Sequence, residues 1–285
     1  MLAFVLIIAL ALLAALWFMI APVLRRRRRL AWSRQPVPPQ WPEWLRSHMP
    51  FYESMPRELR ERMHRLMLIF LREKSFVGCN GLIVTDEMRV VIAAYACLLV
   101  VNRPGVPRTH FYDDLMSILV YPTAFIVHER EEEDWIVTEG HRVLAGQAWD
   151  ARRIILSWED VREGVSEHEN VVLHEFAHYL DMEDETMDGA PGLGSAAAYE
   201  EWSQTFWDEY EQLCDDVDAG RETLLDPYAT TEPAEFFAVA TETFFHQPGA
   251  LREAHPRLYE QLMKYYRLDP ASWIGGHEAG GSGHG

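Results

Sequence analysis

Cysteine is scarce in this 285-residue chain: Cys79, Cys97 and Cys214 lie far apart and are odd in number. That excludes a disulfide framework and a cysteine metal cluster, and it suits a reducing compartment. Residues 1–24 contain no charged side chain, and residues 1–34 contain no acid. Internal repeats, a phosphate-cradling glycine loop and the setting of a serine or cysteine nucleophile are also missing. Basic residues are few outside the N-terminus. In all, 26 Lys and Arg face 44 Asp and Glu, a formal charge of −18, and six of the arginines fall within residues 1–34. The other 251 residues therefore carry 20 basic against 44 acidic side chains, a net −24. A body this acidic is repelled by phosphate backbones, which argues against direct nucleic-acid binding. With 48% apolar and 25% charged residues, the composition is that of a globular protein with ample core.

The opening run, MLAFVLIIALALLAALWFMIAPVL, would extend about 36 Å as a helix, enough to cross a hydrocarbon core of about 30 Å. Five arginines follow at 25–29. A cleaved signal peptide would carry its positive charge before a shorter apolar run, and a small-residue cleavage site after it. With the charge placed after the run, the positive-inside rule puts the arginines and everything downstream in the cytoplasm. The expectation is a single-pass inner-membrane protein. Residues 1–24 form its transmembrane anchor, and residues 25–44, with Pro36, Pro38, Pro39 and Pro42, form an extended Arg/Pro-rich linker. Residues 45–274 form one folded domain, and the Gly/His tail 275–285 reads as disordered, with no role required of His277 or His284.

Within the domain, Leu59, Met63, Leu66, Met67 and Phe70 recur at helical spacing, so 57–73 reads as an amphipathic helix. Gly78 and Gly81 bracket a turn. Residues 86–101 begin with acids and are then apolar nearly all round, as in a buried core helix. Short β-type runs follow at 118–121, 124–128, 135–138 and 154–158. Helical patterns return at 169–182, 197–214, 233–246 and 256–267. Strands in the middle with helices on either side point to an α+β domain with a small mixed sheet, not to alternating βαβ units.

The chemistry concentrates in VVLHEFAHYLD, residues 171–181. His174 and His178 are four apart, so a helix places both on one face where they can grip one metal ion. Glu175 lies about 100° round, where a general base must stand to take a proton from a water activated by that metal. Chance alone would produce H-E-x-x-H in a chain of this length on the order of 1% of the time. A structural zinc site normally has four protein ligands, usually rich in cysteine, and no cysteine is near. A catalytic site needs a third ligand and one open position. Glu235 and Glu242 share one face of the apolar helix TEPAEFFAVATETFF, residues 231–245, where carboxylates are costly unless paired or metal-bound. Spacing leaves open which is the ligand and which orients a histidine from behind. Asp181 is a further orienting candidate. Tyr228, just before that helix, could donate its hydroxyl to an oxyanion. Two histidines and a carboxylate also suit iron, but the interposed Glu175 favours hydrolysis and therefore zinc.

The stretches 74–100, 155–161, 170–189 and 224–245 resemble the Mlc titration factor A metallopeptidases, of the gluzincin type. The pattern from Tyr228 to Ala238 is also similar to that of the anthrax lethal factor catalytic domain. The resemblance implies Glu235 as third zinc ligand beside His174 and His178, Tyr228 as transition-state aid, and Glu242 and Asp181 behind the ligands. It further implies a zincin-like fold, one Zn2+ per chain, aminopeptidase-like activity on short peptides, and binding of an Mlc-type repressor of sugar-uptake genes. A membrane anchor and a Gly/His tail are departures from the family pattern. The alternative is a non-catalytic regulator that sequesters such a repressor near the membrane. If the site is catalytic, residues 153–158 should lie across the cleft from helix 169–182 and hold a peptide substrate as an added strand.

Overall fold

The structure is a computed structural model that describes residues 2–123, 152–167, 169–184 and 186–274. The strands expected at 124–128 and 135–138, and the tail 275–285, lie outside the described residues. Helix α1 (Leu2–Trp32) is apolar to Leu24 and then continues through the arginines without a break. Among the described residues it is the only helix long and apolar enough to cross a membrane, and its apolar part is not buried in the protein. Arginine favours helix, so the block at 25–29 gives α1 no reason to stop. The stretch expected as an extended linker is thus helical at both ends. Helix α2 (Trp41–His48) begins with Pro42 in its first turn, where a missing N–H is harmless.

Arg29 ties α1 to the body and is only 3% exposed. Its Nε and Nη2 donate to Glu73 Oε1 and Oε2 at 2.8 and 2.7 Å. Nη2 also reaches Asp113 Oδ1 at 2.8 Å, and Nη1 the Pro107 carbonyl at 2.6 Å. The guanidinium lies 5.4 Å from the Phe111 ring centroid. Two carboxylates, a carbonyl and an aromatic face together satisfy the donors, which is what makes burial of a guanidinium tolerable.

Helix α3 (Arg57–Glu73) runs into strand β1 (Ser75–Gly78); helix α4 (Asp86–Val100), strand β2 (Ser117–Tyr121), strand β3 (Arg153–Ser157) and helix α5 (Trp158–Glu167) follow. The described sheet has the order β1-β2-β3 and is parallel throughout, with Ser75 opposite Ser117 and Ser117 opposite Arg153. This departs from the expected arrangement, because β1, α4 and β2 make one βαβ crossover. Strand β1 escapes sequence reading because its four residues include a glycine and are mostly exposed, so no apolar alternation marks it. Helix α4 begins at Thr85, whose side chain accepts the Met88 amide at 3.2 Å, and Asp86 and Glu87 complement its dipole. From Val90 to Val100 it is buried on every side, packed by α2 and α3 and by helix α6 (Val171–Asp181).

Helix α6 is the centre of the molecule, and all eleven of its residues are buried. It packs on α4, on β3 and on helix α8 (Pro233–His246), and Phe176 meets Tyr112 edge-on at 5.1 Å. Helix α7 (Ala196–Asp218) and the short helices α9 (Pro248–Ala254), α10 (Pro256–Tyr266) and α11 (Ala271–Ile274) close the C-terminal half.

Candidate metal centre

Two helices far apart in sequence build the site. Asn170 caps α6, its Oδ1 accepting the Leu173 amide at 2.9 Å, and so fixes the helix phase that brings His174 and His178 to one face. Pro233 opens α8 and sets the apolar helix that carries Glu235 and Glu242. Where α6 packs on α8, the His174 and His178 Nε2 atoms are 3.1 Å apart. Glu235 Oε2 lies 3.0 Å from the first and 3.4 Å from the second.

Glu242 is on the other side of the same ring. Its Oε1 accepts from His174 Nδ1 at 2.8 Å, and its Oε2 accepts the Asn170 backbone amide. The His174 ring therefore bridges the two carboxylates left unranked by spacing. A proton on Nδ1, held by Glu242, leaves Nε2 a bare acceptor. With His178 likewise bare at Nε2, all three converging atoms would be acceptors, an arrangement that a cation among them relieves. Glu235 Oε2 receives no aligned hydrogen bond despite its short approaches. Ligand atoms 2.0–2.1 Å from a tetrahedral metal stand about 3.3 Å apart, close to the separations found here. Two imidazoles and a carboxylate, all within 4.8 Å of one another, fit a divalent cation.

The electrostatics show that the two carboxylates favour positive charge at this point. Burial pushes the His174 pKa down, but the Glu235 and Glu242 carboxylates, as acceptors beside the ring, more than offset it and hold it well above its usual range. Burial alone would raise Glu235, yet the close approach of the His174 and His178 rings keeps it below the usual carboxylate range. His178 is lowered, chiefly by burial. Glu175 is raised to about 7, because burial outweighs the pull of His174. Its Oε2 is buried with no hydrogen-bond partner among the described residues. A carboxylate raised to near neutrality beside such a cluster can both take and return a proton.

Tyr228 sits in a short 3-10 turn, half-buried, with its ring centroid 6.3 Å from that of His174. Asp181 is fully buried, and its Oδ2 accepts the Gly189 amide at 2.9 Å, tying down the chain beyond α6. Gly189 in turn accepts from Trp202 Nε1 at 2.9 Å. Asn170, not among the residues singled out from the sequence, joins the start of α6 to Glu242. An Asn immediately before an apolar helical run was the available signal.

A family model described as glucose-regulated metallo-peptidase M90 matches residues 23–267. An uncharacterized protein of Synechocystis sp. is 40% identical over 273 residues, 94% of this chain and 97% of its own. Mlc titration factor A of Serratia proteamaculans is 32% identical over 253 residues, 81% of this chain and 93% of its own. Mlc titration factor A of Pectobacterium atrosepticum is 32% identical over 226 residues, covering 78% and 84%.

Proposed function

The chain belongs to the glucose-regulated metallo-peptidase family M90, with Mlc titration factor A proteins among its relatives, and on that premise we propose a membrane-anchored zinc peptidase of aminopeptidase type. The observation that carries the reading is the convergence of His174, His178 and Glu235 on one point with Glu175 buried beside it. His174, His178 and Glu235 hold the metal, which when bound supplies Lewis acidity to the water and to the scissile carbonyl. Glu175 takes the proton of the attacking water and returns it to the leaving amine, so the carboxylate ends as it began. The Tyr228 hydroxyl donates to the oxygen that gains charge. Glu242 holds His174 in the tautomer that leaves Nε2 bare.

Helix α6 packs on β3, and β3 pairs with β2 on one side only among the described residues. A peptide paired along β3 would therefore lie next to the histidines, which supports the added-strand mode of binding. α1 anchors the protein in the inner membrane, and the arginines after the apolar run put the body in the cytoplasm.

The test uses the full chain in detergent beside Glu175→Gln, on fluorogenic peptides with free and blocked amino ends. The parent should cleave free-ended peptides, lose activity to a chelator and regain it with zinc. Glu175→Gln should bind zinc equally and be slower by about 10²–10⁴-fold. Silence from both proteins with zinc bound would sink the peptidase reading. It would favour a second one, suggested by the titration factor name of the relatives, in which the chain binds an Mlc-type repressor without needing Glu175.

A further inference from the structure

Where α1 meets the body, a cavity of about 430 Å³ opens between α1, α3 and the loop that follows α4. Five arginines line it, Arg26, Arg29, Arg62, Arg65 and Arg108, with no acidic residue in its wall among the described residues. Among the described residues only Arg29 of these five is neutralised, by Glu73 and Asp113. Arg62 donates to the neutral Asn102 amide oxygen, and Arg26, Arg65 and Arg108 have no ion-pair partner among the described residues. In a chain of net charge −18 this is a local reversal of sign, assembled from three separate segments.

The depth of the cavity is specific too. Arg26 and Arg29 lie about 3 and 8 Å along the helix past Leu24, the last apolar residue of the run. Lipid headgroups occupy about 5–8 Å on each side of the hydrocarbon core. The rest of the wall is mostly apolar.

We propose that this cavity binds the phosphate of an anionic phospholipid, with Arg26, Arg62, Arg65 and Arg108 as its donors. Basic pockets at the cytoplasmic end of membrane helices take such headgroups, and arginine forks match phosphate oxygens. The proposal rests on the reading of α1 as a membrane helix. It separates a built pocket from a merely basic helix, because Arg25, Arg27 and Arg28 share α1 but do not line the cavity.

The test is native mass spectrometry of the full chain released from nanodiscs of phosphatidylcholine and phosphatidylglycerol. The parent should retain phosphatidylglycerol in preference. Arg62→Gln/Arg65→Gln/Arg108→Gln should lose that preference at least about tenfold, and Arg25→Gln/Arg27→Gln/Arg28→Gln should keep most of it. All six side chains are exposed, and unchanged thermal unfolding would show that each triple variant folds. The single variant Arg108→Gln, in the loop, should give an intermediate loss. Equal loss in the two triple variants would overturn the pocket in favour of diffuse charge. Displacement of the lipid by inorganic phosphate at equal concentration would overturn the lipid source and leave a soluble phosphate ligand. A chain that elutes apart from the discs, with neither lipid, would overturn the membrane reading itself.

Discussion

Glu242→Gln should weaken zinc binding by about tenfold to a hundredfold while leaving the fold intact. The native carboxylate accepts from two donors at once, the His174 Nδ1–H at 2.8 Å and the Asn170 amide. A glutamine has one oxygen for the two. If it faces His174, its NH2 opposes the Asn170 N–H, donor against donor, at the first turn of α6. If it faces Asn170, its NH2 meets Nδ1, which the ring can accept only by moving its own proton to Nε2. That nitrogen is the one facing Glu235 and His178. Either arrangement forfeits one charge-assisted hydrogen bond, worth about 1.5–3 kcal/mol. At about 1.4 kcal/mol per decade, this gives the stated range. The assay is zinc titration against a fluorescent chelator for the parent, Glu242→Gln and Glu175→Gln. Glu175→Gln should match the parent, since Glu175 is outside the three-atom cluster. A Glu242→Gln affinity within about threefold of the parent would refute the idea that Glu242 sets the His174 tautomer.

Acid should act through His64, which is buried with Nε2 3.0 Å from the Tyr52 hydroxyl. Burial first, then Arg60, lowers its pKa from 6.5 to about 4. The unfolded chain therefore binds a proton between these values that the folded chain does not, so stability should fall as pH drops through this window, by up to about 3 kcal/mol, and level off below it. Urea midpoints across that window should slope less in His64→Gln than in the parent; identical slopes would count against the argument. Gly189→Ala should destabilise by about 2–4 kcal/mol, because φ is +75° and the new Cβ would stand 2.3 Å from Phe206 Cζ and 2.6 Å from the Pro233 carbonyl oxygen. Thermal unfolding with no measurable shift would show that the turn can reform around an alanine. Arg29→Ala should cost about 3–5 kcal/mol by leaving Glu73 and Asp113 without their shared cation. A denaturation midpoint equal to the parent's would mean that α1 is not held by this cluster.

The motif helix was legible because its two kinds of residue do separate work: the apolar ones bury it all round, and the two histidines fall on one face. Spacing alone does not show which carboxylate joins the histidines. Glu235 and Glu242 are seven apart, nearly two turns, so both point the same way from α8 and only the packing of α6 across α8 tells them apart. One imidazole then touches both, through opposite nitrogens. The parallel sheet was illegible for another reason. Strand β1 carries no pattern of its own, and its place depends on pairing with residues some 40 positions later. Helix α5 was missed because it continues directly from β3 with no turn residue between them. The linker expected over 25–44 fails at its start because charge marks where an apolar run ends and says nothing about where a helix does.

The Arg29 cluster also decides where this protein can be cut. A hydropathy profile invites removal of everything before the prolines, as though α1 were a leash. A fragment trimmed to Trp32 would lack the side chain that Glu73 and Asp113 close upon, and Trp32 would lose Arg28 from its ring face. A fragment beginning at Arg25 would keep both contacts and discard only the greasy part. The last two turns of α1 are thus the first piece of the globular body, and the border between the apolar run and the folded domain falls inside a single uninterrupted helix.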